Sequence, residues 1–218
     1  MEIKNKKIAF LGDSITAGAN ASSPQKNFVS IIAAEYGAYV SNLGIGGSRI
    51  AKQTIPSENI KFDMDFCSRI DTIDKNTDII VIFGGTNDYG HGDAPMGSPQ
   101  DRDVYTFYGA LHYLYFNILN SFPNAVTVVV TPLHRLNENN KLGEGNKASP
   151  SGTLHDYVKI IREVAEYYSL PVIDLYANCG YQPEIPANYK KYCTDGLHPN
   201  DAGHNLIAHK IANFLLQL

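Results

Sequence analysis

Five short apolar runs, spread along the whole chain, set the narrowest limit on what it can fold into. They are "KIAFLG" (7–12), "YVSNLG" (39–44), "DIIVIFGG" (78–85), "AVTVVVTPL" (125–133) and "PVIDLYA" (171–177). Short runs rich in Val and Ile are the pattern of strands covered on both faces, as in a parallel sheet. Segments of helical character lie between them. Residues 27–37 end at Gly37, and residues 103–123 stop at Pro123. Residues 151–169 place Leu154, Val158, Ile161 and Ala165 on one face, and the last helix runs from Pro199 to the C-terminus. A less regular helical segment covers 62–73. Strand and helix alternate without a Pro/Ser-rich linker, repeat or low-complexity tract. This predicts one α/β domain over residues 1–218, a flavodoxin-like five-stranded parallel sheet in the order 2-1-3-4-5. The longest irregular stretches, 86–102 and 134–152, follow the third and fourth strands and have the length of functional loops.

Composition removes several alternatives. A hydrophobic share of 44% in 218 residues permits a substantial core and excludes disordered and fibrous classes. The formal net charge of −4 argues against nucleic acid or an anionic membrane surface as partner. The N-terminal apolar stretch, Ile8 to Leu11, is interrupted at Gly12 and is shorter than the roughly 7–15 residues of a signal h-region. No stretch approaches the ~20 apolar residues of a membrane span. Cys67, Cys179 and Cys193 form no C-x-x-C pair and are expected as reduced thiols in a cytoplasmic protein; a Cys179–Cys193 disulfide would need an oxidising compartment.

Ligands of open parallel sheets bind beyond the carboxyl ends of the strands. Four such places carry concentrated polar chemistry: "GDSIT" (12–16), "NLGIGGSR" (42–49), "GGTNDYG" (84–90) and "TDGLHPN" (194–200). Singly, each is explained by turns and helix caps. Together they supply a serine, a loop rich in backbone N–H groups, an amide side chain and an Asp-x-x-His pair. Those are the parts of acyl transfer.

The four blocks, in this order from Gly12 to Pro199, resemble the SGNH hydrolase superfamily, the GDSL-type esterases, lipases and acylhydrolases. Ile15 stands where the family name has leucine. The resemblance implies a three-layer α/β/α sandwich, Ser14 as nucleophile, His198 as base and Asp195 as its acid partner. It implies an oxyanion hole made by the backbone N–H groups of Ser14 and Gly47 and the side-chain amide of Asn87. Thr16 stands two residues after Ser14, so the stretch differs from the G-x-S-x-G elbow of α/β-hydrolases.

The expected activity is cleavage of short-chain carboxylic esters of small molecules, with O-acetyl groups of carbohydrates as candidate substrates, through an acyl-enzyme intermediate. A lysophospholipase or thioesterase using the same residues is the alternative. A non-catalytic flavodoxin-like phosphate-binding module is the third class, against which stands the lack of a phosphate-loop motif after the first strand. Asp13, His134 and Arg135 are candidate substrate contacts. The remaining histidines (His91, His112, His155, His204 and His209) lack metal-ligand spacing, so no metal and no cofactor is expected. The tyrosines of 105–115 have the helical spacing of core packing.

Overall fold

The computed structural model describes residues 2–145 and 147–218. Five parallel strands form one sheet in the order β2-β1-β3-β4-β5. They are β1 (Lys7–Gly12), β2 (Tyr39–Gly44), β3 (Ile79–Phe83), β4 (Val126–Val130) and β5 (Val172–Ile173). The helices are α1 (Ser14–Ala17), α2 (Phe28–Tyr36), α3 (Thr86–His91), α4 (Phe107–Ser121), α5 (Leu154–Tyr167), α6 (Leu175–Asn178), α7 (Pro186–Tyr192) and α8 (Asp201–Gln217). The α/β architecture and the strand order are those expected from the alternation of patterns.

Both faces of the sheet are buried at β1, β3 and β4, and these strands divide their side chains between the two faces with period two. Ala9, Leu11, Ile80, Ile82 and Val129 face a core closed by α4 and α5. Ile8, Phe10, Ile79, Val81, Phe83, Val128 and Val130 face the other side, closed by α2 and α8. Each fully buried Ile, Leu or Phe contributes roughly 1.5–3 kcal/mol relative to exposure, so the three central strands carry much of the driving force for folding.

Local signals set the helix ends. Asn27 caps α2 by accepting from the Ser30 N–H, and Gly37 ends it in the left-handed conformation. Thr153 and Asp156 form a capping box at the start of α5. Asn200 caps α8, so neither Asp195 nor His198 is spent on that task.

Several expectations are corrected. β2 is an edge strand, with Tyr39 64% exposed, because no strand lies beyond it. β4 stops before Thr131, and β5 is only two residues long, since Asp174 turns the chain into α6 by accepting from the Ala177 N–H. Residues 62–73 form 3-10 turns at Ile60–Asp63 and Cys67–Thr72 in place of one helix. The stretch 86–102 opens with α3. Cys67, Cys179 and Cys193 are free thiols, as expected, and all three are buried. Among the described residues no helix is long and apolar enough to cross a membrane.

One close approach positions the carboxyl rim. Gly44 pairs with Gly12 at the ends of β2 and β1, and α1 lies directly on it. A Cβ on Gly44 would fall 2.2 Å from the Ala17 nitrogen and 2.7 Å from the Thr16 carbonyl carbon, both backbone atoms. Gly44→Ala should therefore destabilise the protein by about 1–3 kcal/mol. At Gly46 the nearest atom to an added Cβ is 3.8 Å away, and Gly46→Ala should stay within about 0.5 kcal/mol of wild type. Urea midpoints of the two variants measure the contrast; equal values would remove the packing argument.

Candidate active site

Ser14 is the first residue of α1, a single helical turn that starts where β1 ends. Asp13 caps this turn, its Oδ1 accepting from the Ile15 N–H at 3.0 Å. The turn holds Ser14 half-buried at the rim, and its Oγ lies 2.9 Å from His198 Nε2. His198 reaches this point from a hairpin in which Cys193 bridges to Pro199. The tight turn is made by Gly196, whose φ of 86° is open to glycine at little cost.

Within that turn the Asp195 carboxylate is surrounded by donors. Its Oδ1 accepts from the backbone N–H groups of Leu197 and His198, at 2.9 and 2.7 Å, and its Oδ2 lies 2.7 Å from His198 Nδ1. Partial burial would raise its pKa, but the His198 ring and the two N–H groups outweigh that and bring it down to about 2. A permanently ionised Asp195 on Nδ1 leaves Nε2 free to take a proton from Ser14. Asn20, which no motif singles out, donates from Nδ2 to Asp195 Oδ2 at 2.9 Å and to Thr194 Oγ1 at 2.6 Å.

Two further groups meet Ser14 in a cavity of about 560 Å³. Gly47 lines it from the loop after β2, and among the described residues its N–H has no hydrogen-bond acceptor. Asn87 lines it from α3, buried, with Nδ2 donating to the Ser48 carbonyl at 2.9 Å. Asp88 fixes the same loop from beneath, its carboxylate accepting from the N–H groups of Ile50 and Ala51 at 2.9 Å. Ser14, Gly47, Asn87 and His198 thus share one cavity, with Asp195 directly behind His198.

Three expected substrate contacts lie elsewhere. Asp13 is buried under α1, 2% exposed, and serves as its cap. His134 packs against Tyr176, with ring centroids 3.9 Å apart and planes tilted by 32°, and its Nδ1 pairs with Glu138 at 2.9 Å. Arg135 is drawn beneath α3, where it donates to the Thr86 carbonyl and hydroxyl, and its other end pairs with Glu144 at 2.8 Å. Glu144, not Arg135, reaches the cavity. The segment after β2 supplies a large part of the wall instead, through Arg49, Ser57, Glu58, Asn59 and Phe62. Its residues show no periodicity, and only "GIGGSR" at its start marked it. A second cavity of about 750 Å³ adjoins the first, sharing Arg49, Ser57 and His91, and is bounded by residues from 91–96 and 147–152.

A doubly wound sheet that brings a Ser–His–Asp chain, a glycine loop and an asparagine to one cavity at its carboxyl rim defines the class of SGNH hydrolases. The sequence matches the GDSL-like Lipase/Acylhydrolase family over residues 10–206, and the chain belongs to that family. It is a hydrolase acting on esters. The structure is similar to that of a protein from Lactobacillus plantarum, with 32% identity, a TM-score of 0.84 and coverage of 99% of this chain and 98% of the other. It is also similar to the lipase/acylhydrolase from Enterococcus faecalis, with 25% identity, a TM-score of 0.64 and coverage of 96% and 95%. An acetyl xylan esterase shares the fold at 20% identity and a TM-score of 0.65, with coverage of 96% and 99%. Comparison with curated protein sequences gives no significant match.

The rim carries a measurable cost. Burial pushes the Asp13 carboxyl up to about 6, against the opposing pull of the Ile15 N–H, His198 and Arg69. An unfolded aspartate titrates near 3.9, so between about pH 4 and 6 the folded state holds the extra proton and stability falls as pH rises. Asp13→Asn keeps an acceptor for the Ile15 N–H. It should be more stable than wild type at pH 8 by on the order of 2 kcal/mol, with the difference vanishing by pH 4. Urea titrations of both proteins across this range give the answer; a pH-independent difference would contradict it.

Proposed function

We propose that the protein is a serine esterase for short-chain carboxylic esters, with O-acetyl groups on hydroxyl-rich molecules as the fitting substrate class. The observation that carries this reading is the hydrogen-bonded chain from Ser14 Oγ through His198 to Asp195, opening onto a cavity beside Gly47 and Asn87. Ser14 Oγ attacks the ester carbonyl carbon while His198 Nε2 takes its proton. The tetrahedral oxyanion accepts from the N–H groups of Ser14 and Gly47 and from the Asn87 amide, donors in place before charge develops. On collapse the C–O bond to the alcohol breaks, and His198 protonates the departing oxygen. Water then repeats the sequence on the acyl-enzyme, releasing the acid and restoring Ser14.

The cavity walls support a small acyl group. Around Ser14 the large apolar side chains are Phe62 and Leu197, among Arg49, Ser57, Glu58, Asn59 and Glu144. Each buried methylene is worth about 0.8 kcal/mol, so a long chain gains specificity only where apolar walls continue. One feature favours the lysophospholipase or thioesterase alternative: Ile55, Pro56, Ala94, Pro95 and Met96 line the adjoining cavity. With p-nitrophenyl esters below micelle-forming concentrations, kcat/KM should be highest for acetate or butyrate and fall towards palmitate. A rising series would transfer the assignment to the long-chain alternative.

The nucleophile is tested separately. A fluorophosphonate probe should label wild type and not Ser14→Ala, and the variant should lose at least ~10⁴-fold in kcat with its melting transition retained. Undiminished turnover by the purified variant would exclude Ser14 chemistry, whereas a wild type that is neither labelled nor active would reopen the non-catalytic binding module.

A further inference from the structure

We propose that Arg49 and His91 form a proton-fixed relay that orients the Asn87 amide towards the oxyanion, making His91 a positioning residue for the reaction. The inference rests on Asn87 being an oxyanion donor, as set out above.

The argument is one of donors and acceptors. Arg49 is buried, and a guanidinium offers donors only. Its Nε lies 3.2 Å and its Nη2 2.7 Å from His91 Nδ1. Nδ1 must therefore present its lone pair, and in a neutral imidazole the proton then sits on Nε2. That atom lies 3.2 Å from Asn87 Oδ1. His91 thus donates to Asn87, whose Oδ1 accepts and whose Nδ2 donates to the Ser48 carbonyl at 2.9 Å. Turning the amide over would set Nδ2–H against Nε2–H and Oδ1 against the Ser48 oxygen, two repulsions at a buried site. Of the two Nδ2 protons, one is held by Ser48, and the other is left for the cavity that Asn87 shares with Ser14.

The rest of the environment agrees. Arg49 is not waiting for an anionic ligand: its Nη1 is taken by Ser57 Oγ at 3.0 Å and Asp63 Oδ1 at 3.3 Å, and its Nη2 also donates to the His91 carbonyl at 3.2 Å. The charges that act on the ring are Arg49, Arg135 and Lys147, opposed by Glu144. Burial first, and then these cations, bring the His91 pKa down to about 4, so the ring is neutral where an esterase works. Phe62 packs against the ring with centroids 5.3 Å apart and holds its plane.

The first test needs no variant. Long-range ¹H–¹⁵N correlation spectra of the wild-type imidazoles at pH 7, assigned by comparison with His91→Gln, should show His91 as the neutral Nε2–H tautomer. An imidazolium or an Nδ1–H tautomer would overturn the relay. The second test is a double-mutant cycle with p-nitrophenyl acetate, normalised to folded protein by thermal melts. Asn87→Ala should lower kcat by roughly 10²–10³-fold with little change in KM. His91→Leu should lower kcat by about 10–100-fold, again with KM little changed, because the amide loses its orientation. His91→Gln, which can still donate to Asn87 Oδ1, should recover most of that loss. In the Asn87→Ala background, His91→Leu should add less than about twofold, since its target is gone. Additive losses would overturn the relay while leaving the oxyanion assignment standing, as would a His91→Leu effect confined to KM. An unimpaired Asn87→Ala would instead remove the oxyanion assignment, and the relay with it.

Discussion

The architecture of the rim depends on one buried cation. Strand ends of a parallel sheet present carbonyl oxygens that no further strand can satisfy, and burying them unpaired is costly. The Arg69 guanidinium meets them at the site: Nη1 donates to the Leu43 carbonyl at 2.6 Å, and Nη2 to Ser48 Oγ and to the Gly12 carbonyl, which also accepts from the Ile45 N–H, all three at 3.1 Å. One side chain therefore ties the end of β1, the end of β2 and the glycine loop to each other. Burial lowers its pKa to about 10, with Asp13 and Asp65 pulling the other way, so it remains charged at any working pH. The ring of Phe66 lies under the guanidinium at 4.8 Å, which suits a planar, weakly hydrated cation. Ser14 and Gly47 flank this knot, so the spacing between the proposed nucleophile and the loop N–H is set by backbone carbonyls and not by flexible side chains.

The electrostatic pattern around the site follows from the same economy of partners. Asp88, Arg49 and Arg69 are all buried, yet each is committed to backbone groups or to a neighbour of opposite charge. Little of that charge is left unpaired beside Ser14. Beside Ser14 the cavity presents neutral donors, Gly47 and Asn87, which suit the proposed role of stabilising charge that develops only as an ester is attacked. Fixed dipoles of this kind need no reorganisation during the step, and that is why the supporting ion pairs lie one layer further back.

Much of this was legible in the sequence because strand ends are local events. An apolar run followed by "GDS" or "GGTND" places a polar cluster at a rim whatever the rest of the chain does, and right-handed crossovers leave few strand orders, of which the flavodoxin-like one is the order found. The Asp195–His198 spacing was equally local, closed by a glycine turn. Arg69, Asn20 and His91 escaped because their partners lie far away in sequence. Arg69 meets Gly12, and Asn20 meets Asp195, only after the sheet has assembled. His91 shows nothing in sequence beyond its lack of metal-ligand spacing, because an isolated histidine carries no sign of which of its nitrogens will find a partner. His134 and Arg135 misled in the opposite sense: they follow a strand end, but Thr86, Glu138 and Glu144 capture their side chains before they can reach the cavity. β5, two residues long, shows the remaining limit, since an aspartate cap inside an apolar run ended the strand early.

Ser14 and His198, the proposed reacting pair, come from opposite ends of the chain, and their 2.9 Å contact is therefore a product of global packing. Its immediate support is a row of stitches between the segment after α1 and the start of α8. Asn20 binds Thr194 and Asp195. The Ser22 N–H and hydroxyl donate to Asp201 at 2.8 and 2.7 Å. His204, fully buried, donates from Nε2 to the Ala19 carbonyl at 3.0 Å. Beneath these, Phe28 and Ile32 of α2 join Ile207 and Ile211 of α8 in the core on that side of the sheet. The stitches are mostly exposed hydrogen bonds, each worth about 1 kcal/mol, whereas the helix packing below them belongs to the core. A fluctuation that opens the row while leaving the sheet intact would separate His198 from Ser14 without unfolding the protein. The geometry that enables chemistry is thus held by the weaker of the two layers, and catalytic competence should be lost on denaturation before the β1–β3–β4 core gives way.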